Sequence, residues 1–314
     1  MELMTHFTME SITFQLDALR LAGLCSCSPG DQVITDPQAW PEDTHCLTPD
    51  KPVLVMLHGW QDNAASFAPL FEPLADHFHL LAIDWPGHGL SQARPDGNFY
   101  HFVDYVDDLA QLLSLLPVSR VHLLGHSLGA LVSTCYAAAF PERVASMILI
   151  EGLGPLSESP EHAATRLRDG ILSRERYRKR ASVRRGMTSF DQAVTLRCEV
   201  NALTPEQVIP LVERATYCQD SRWYWRHDPR LRCDSLYRMA DGHSLAMRAA
   251  VSCPVLSIIG EQGYQSLQLT SEQQQQWQNL SQTRVSGGHH CHLESPRATV
   301  ERIVSFASKF KTLV

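Results

Sequence analysis

The stretch Val121-His122-Leu123-Leu124-Gly125-His126-Ser127-Leu128-Gly129-Ala130 decides how this 314-residue chain is read. Its first four residues look like a buried strand, and a helix of small residues runs from Ala130 to about Phe140. Between them lies Gly125-x-Ser127-x-Gly129. A serine on a sharp strand-to-helix turn must take strained backbone angles, and the positions two residues either side come so close to neighbouring chain that only glycine fits. Such a turn lifts the hydroxyl above the sheet edge and aims the N–H groups of the helix start at whatever the hydroxyl attacks. The five-residue pattern is weak alone; flanked by strand and helix it marks a nucleophile.

Working outward, short apolar runs without alternation recur at 53–57, 80–83, 121–124, 147–150 and 255–259, with a weaker one at 283–286. Unbroken apolar runs of this length suit strands covered on both faces. Helical stretches alternate with them. One covers 67–77, and another covers 100–116 with Phe102, Val106, Leu109, Leu112, Leu113 and Leu116 at helical spacing. The alternation implies an α/β fold with a mainly parallel sheet and right-handed crossovers. Residues 10–24 alternate at Ile12, Phe14 and Leu16 and suit antiparallel edge strands, and 26–51, rich in Pro, Asp and Thr, read as a surface excursion. From 156 to 248 the pattern breaks: the segment is polar, helical in tendency and without a strand-like run. The expected organisation is therefore a core in two pieces, 1–155 and 249–314, with 156–248 inserted as a helical cap.

Composition narrows the partners. The formal net charge of −7 argues against nucleic acid. No apolar run approaches the about 20 residues that cross a bilayer, and residues 1–10 carry acids without the apolar core of a secretory signal. Nine scattered cysteines without a C-x-x-C pair, Cys25 and Cys27 being only one residue apart, read as reduced thiols of a cytoplasmic protein.

A serine hydroxyl needs a base to take its proton, and the base needs a partner to fix its tautomer. The base is expected late, and Gly287-Gly288-His289-His290-Cys291-His292 follows the last strand. His289, directly after the glycine pair, is the first choice, His290 the second, and His292 a support for the loop. The tract also admits a metal reading, but residues so close on one loop rarely all face one ion, and no further Cys/His pair has ligand spacing; no metal and no cofactor is expected. The acid is sought between Ser127 and His289. Glu151 stands immediately after an apolar strand, where a lone charge is costly unless paired; Glu261 stands in the Gly260-Glu261-Gln262-Gly263 turn and is the alternative. Oxyanion donors are expected from the backbone N–H of Leu128 and of Trp60, after the His58-Gly59 turn. Asp84 in Asp84-Trp85-Pro86-Gly87-His88-Gly89 reads as the cap of a structural turn.

Together these residues resemble the α/β-hydrolase fold family. His58-Gly59-Trp60, Asp84-x-x-Gly87-x-Gly89, Gly125-x-Ser127-x-Gly129 and Gly288-His289-x-x-His292-x-Glu294-x-Pro296 stand in the family's order and spacing, from about Lys51 to the end. The likeness is greatest to serine-hydrolase-like proteins, whose segments are similar to Gln61-Asp62-Asn63-Ala64-Ala65-Ser66-Phe67, Glu151-Gly152-Leu153-Gly154-Pro155 and Trp223-Tyr224-Trp225-Arg226-His227-Asp228-Pro229-Arg230. The resemblance implies Ser127 as nucleophile, His289 as base, and the Trp60 and Leu128 N–H groups as the oxyanion hole. It departs at one place: the family's usual acid is an Asp in a Gly-Glu-x-Asp turn, and that position here is Gly263, which favours Glu151. Some haloalkane dehalogenases of this fold likewise place a Glu one strand earlier; they use an Asp nucleophile, whereas Ser127 would form an acyl-enzyme from an ester.

The expectation is thus a cofactor-free serine hydrolase on carboxylic esters of small molecules. A thioesterase, a C–C bond hydrolase and a non-catalytic binder of the same fold are the alternatives. The arginines crowded into 166–185 read as solvated helix faces pairing with Glu161, Asp169 and Glu175, rather than as a clamp for an anionic carrier such as coenzyme A. Trp223 and Trp225 read as packing for the cap.

Overall fold

The computed structural model describes residues 7–27, 33–40, 47, 51–180 and 186–310. Much of the surface excursion and Arg184 and Arg185 of the basic stretch lie outside the described residues. Strands β1 (Glu10–Gln15), β2 (Arg20–Cys25), β3 (Val33–Ile34), β4 (Val53–Leu57) and β5 (His79–Ile83) come first, with helix α1 (Ala68–Ala75) between the last two. Helix α2 (Phe102–Ser114), β6 (Val121–His126), α3 (Leu128–Ala139) and β7 (Val144–Ile150) follow.

The insertion begins with β8 (Ser157–Glu158), α4 (Ala163–Arg180), α5 (Phe190–Asn201) and α6 (Pro205–Ala215). It continues with β9 (Thr216–Gln219), β10 (Arg222–Trp225), β11 (Met239–Ala240) and α7 (Asp241–Ala250). The chain closes with β12 (Val255–Gly260), α8 (Ser271–Gln274), β13 (Leu280–Val285), α9 (Cys291–Glu294) and α10 (Pro296–Ala307).

Nine strands form one sheet in the order β13-β12-β7-β6-β4-β5-β2-β1-β3. From β13 to β5 every neighbour is parallel; β2 runs antiparallel to both β5 and β1. Val53, Val55 and Leu57 of β4 face one core layer with Leu109 and Leu112 of α2 and Val132 of α3. Leu54 and Met56 face the other, with Leu70 and Leu74 of α1 and Ile303 and Phe306 of α10. Burial on both faces is why these strands read as unbroken apolar runs. The edge strand β13 has only Val285 fully buried, so its signal is weak, and it starts three residues before the expected run.

The insertion corrects two expectations. It contains strands: β9 and β10 form an antiparallel hairpin in the register Gln219↔Arg222, closed by Asp220 and Ser221 at φ 49° and 58°. Two left-handed residues suit a two-residue hairpin turn, here without the usual glycine. The hairpin's signal was aromatic rather than alternating: Tyr217 stacks on Tyr224 across the strands at 5.5 Å. The arginines of α4 also choose other partners. Arg166 pairs with Glu158 at 2.6 Å and Arg176 with Asp234 at 3.7 Å, while Arg174 lies over the Phe99 ring at 4.1 Å. Trp223 and Trp225 pack against the cap's small core of Ala193, Val208, Leu211 and Val212.

Candidate active site

The parallel strands all end at one edge of the sheet, and the loops leaving β4, β6, β7, β12 and β13 supply the site. Open α/β sheets bind ligands beyond the carboxyl ends of their strands. Ser127 follows β6 with φ 48° and ψ −113°, a conformation L side chains rarely take. A Cβ on Gly129 would overlap the Leu57 carbonyl, and one on Gly125 would overlap the backbone of Gly129 and Ala130. Leu57 and Gly125 are register partners of β4 and β6, so a larger residue at either glycine would force the turn away from the sheet. Leu128 opens α3, and its N–H therefore has no partner within the helix.

Glu151 ends β7, beside β6, at φ 50° and 2% exposed. Its Oε1 accepts from Gly260 N at 2.7 Å and its Oε2 from Tyr264 N at 3.1 Å. The His289 ring presents Nδ1 to the same Oε2 at 3.3 Å. Burial alone would raise the Glu151 pKa, but these donors prevail and hold it below the ordinary value. Glu261, by contrast, is exposed, and its backbone N–H merely closes onto Val285 O at 2.9 Å. His289 is held between Tyr264 and His126, with ring centroids 4.5 and 4.8 Å away. Among the described residues no hydrogen bond joins Ser127 Oγ to His289; such contacts often close only when substrate binds.

His290 is turned elsewhere: its Nε2 meets Asp62 Oδ2 at 3.2 Å, and it is buried. His292 is 0% exposed, and its ring packs on Phe67 and His126 at 5.7 and 4.4 Å. Burial pulls its pKa well below 6.5, consistent with a neutral support for the loop. The loop expected to carry the Trp60 oxyanion donor is a turn closed by Asp62 N donating to Gly59 O at 3.1 Å. Trp60 N finds no backbone acceptor among the described residues. Asp84 accepts from Ala64 N and Leu90 N, both at 2.8 Å, as expected of a turn cap, and also takes Arg214 Nε of α6 at 2.9 Å. Sequence reading missed Arg214, because nothing local to α6 says which loop the helix meets.

It also missed Asp62. The carboxylate is buried, ion-paired with Arg197 of α5, and lies 3.5 Å from His126 Nδ1. Asp62, His126 and His290 bring ligand atoms within 4.8 Å of one another. Arg197 already neutralises that carboxylate, and a second cation there would meet its fixed charge. A cavity of about 860 Å³ opens at Ser127, lined by Trp60, Leu128, Leu131, Leu156, Leu231 and Met239 among others. No described helix is long and apolar enough to cross a membrane.

Comparison with known proteins places the fold. Residues 52–182 match a family model described as the alpha/beta hydrolase fold. A serine hydrolase-like protein of Danio rerio is 30% identical over 265 residues, covering 82% of this chain and 81% of that protein. A 2-(acetamidomethylene)succinate hydrolase of Mesorhizobium japonicum is 41% identical over 100 residues, 32% of this chain and 35% of that protein. The crystal structure of a hypothetical protein of Pseudomonas aeruginosa PAO1 superposes with a TM-score of 0.79 at 28% identity, covering 96% of this chain and 99% of that one. The chain belongs to the α/β-hydrolase fold family, close to its serine hydrolase-like proteins.

Proposed function

We propose that this hydrolase cleaves carboxylic esters through an acyl-enzyme formed on Ser127, with His289 as base and Glu151 as the acid of the triad. The observation that carries the reading is the buried Glu151 carboxylate facing His289 Nδ1 at 3.3 Å, beside a serine at φ 48°. With Nδ1–H donated to Glu151, Nε2 is free to accept a proton. Ser127 Oγ attacks the carbonyl carbon while His289 takes the hydroxyl proton. The oxyanion is received by the N–H groups of Leu128 and Trp60. On collapse the C–O bond breaks, and the alcohol leaves with the proton held by His289. Water then attacks the acyl group, His289 takes its proton, and the acid departs as Oγ is protonated again.

Leu128, Leu131, Leu156, Leu231 and Met239 on the cavity wall support an acyl chain there, and 156–248 act as a cap over it. The same reading places the protein in the cytoplasm. An alkyl fluorophosphonate probe tests the chemistry. Wild type is expected to label and Ser127→Ala to remain unlabelled; a folded wild type that does not label turns the reading to a non-catalytic binder.

A further inference from the structure

Helix α5 of the cap reaches down onto both loops that flank the nucleophile. Arg197 NH1 donates to Gln61 O at 3.2 Å, and its NH2 is ion-paired with Asp62 Oδ1. Gln61 sits at φ 62°, at the third position of the Gly59–Asp62 turn, a seat usually given to Gly or Asn. The guanidinium thus holds in place a strained residue next to Trp60. The other carboxylate oxygen, Asp62 Oδ2, faces His290 Nε2 at 3.2 Å and His126 Nδ1 at 3.5 Å. His126 in turn donates Nε2–H to the His289 carbonyl at 2.8 Å. Four residues later on the same helix, Asn201 approaches His290 Nδ1 at 3.5 Å. One cap arginine is therefore tied to the oxyanion turn directly, and to the histidine loop through Asp62 and His290.

We infer that Arg197 and Asp62 form a positioning pair: the cap sets the oxyanion turn and the His289 loop in register with Ser127 through this one ion pair, whose carboxylate is buried. The inference rests on the hydrolase reading above, and deepens it by making the cap part of the catalytic geometry rather than only a lid. The pairing demands arginine, because one planar fork must satisfy a backbone carbonyl and a carboxylate together. Because the Asp62 carboxylate is buried, the loops share one fixed arrangement rather than two independent ones.

The test uses Arg197→Met, Arg197→Lys, Asp62→Asn and the Arg197→Met/Asp62→Asn double variant of the whole protein, with p-nitrophenyl butyrate turnover and amide hydrogen exchange. Misplacing reacting groups by about 1 Å costs on the order of 100-fold. Arg197→Met is accordingly expected to lower kcat by about 10- to 100-fold with KM within about threefold of wild type. Arg197→Lys should fall between the two, and the double variant should be no worse than Asp62→Asn alone. Exchange should quicken at 59–62 and 287–290 together. Where Arg197→Met does not fold, Arg197→Gln takes its place under the same criterion. A folded variant with wild-type kcat, or additive losses in the double variant, overturns the pair. Failure of wild type to label with the probe overturns the hydrolase reading alone, since hydrogen exchange still reports whether Arg197 holds both loops.

Discussion

The sharpest consequence of the site concerns the acid, and the perturbation is a transfer of the carboxylate from one strand end to another. A Cβ built on Gly263 would lie 2.5 Å from Glu151 Cδ and 2.6 Å from Oε2. The Glu151 carboxylate therefore fills the volume into which a side chain at 263 would project. Gly263→Asp in the wild-type background must collide with it, and should lose both stability and activity. Glu151→Gln keeps the shape but removes the anion that fixes the His289 tautomer; the corresponding loss in a triad is about 10⁴ in kcat, or about 5.5 kcal/mol of transition-state stabilisation. Glu151→Gly relieves the left-handed φ of 50° and empties the space, so Glu151→Gly/Gly263→Asp should bring an Asp carboxylate back toward His289 Nδ1. The assay is kcat for p-nitrophenyl butyrate, with thermal melts to separate folding from chemistry. The double variant should exceed Glu151→Gly by at least about 10-fold, since even partial general-base support is worth 10²–10⁴. If Glu151→Gln stays within about 10-fold of wild type, or falls no further than Glu261→Gln, the tautomer argument is wrong.

Two further expectations concern stability. Burial lowers the pKa of His58 and His122 to about 4 and of His88 to about 3, from an ordinary 6.5. The unfolded chain therefore binds more protons below pH 6.5, so stability is full above that pH and is lost as pH falls toward 4. Each histidine contributes at most about 1.4 kcal/mol per pH unit across that window. Urea unfolding at pH 7 and pH 5 measures the drop, and equal free energies would refute it. Separately, buried Arg230 gives its donors to Asp228, at 2.5 Å, and to the carbonyls of Arg94, Pro95 and Asn98. Arg230→Met leaves the buried Asp228 carboxylate without its charge partner, with Tyr100 OH and the backbone N–H of residue 230, both at 2.8 Å, as its remaining donors, and should cost about 3–5 kcal/mol. A melting temperature unchanged by that substitution would show that the pair holds nothing together.

Much of this was legible in the chain because it is local. The apolar run at 53–57 coincides with β4, and the Gly125–Gly129 turn carries its steric requirement in five residues. Glu151 stood out because an acid capping a buried strand needs a partner. The hairpin at 216–225 was missed because its strands are short and only partly buried, and their pairing rests on aromatic contacts rather than alternation. Arg197, Arg214 and Asp62 were missed because each looks like an ordinary surface residue until the cap is folded over the sheet.

What the sequence determined by itself was the α/β-hydrolase architecture and the sharp turn at Ser127, since strand periodicity and turn sterics act within a few residues of one another. What only the tertiary structure decided was which charges meet. Asp62 lies 135 residues from Arg197 and 228 from His290, and Glu151 lies 138 from His289. Strand order brings such residues together: β7 lies between β6 and β12, so a carboxylate at its end fills the space that Gly263 leaves empty. No pattern along the chain records that adjacency, because a buried charge is stable only beside a partner that the packing of distant segments supplies.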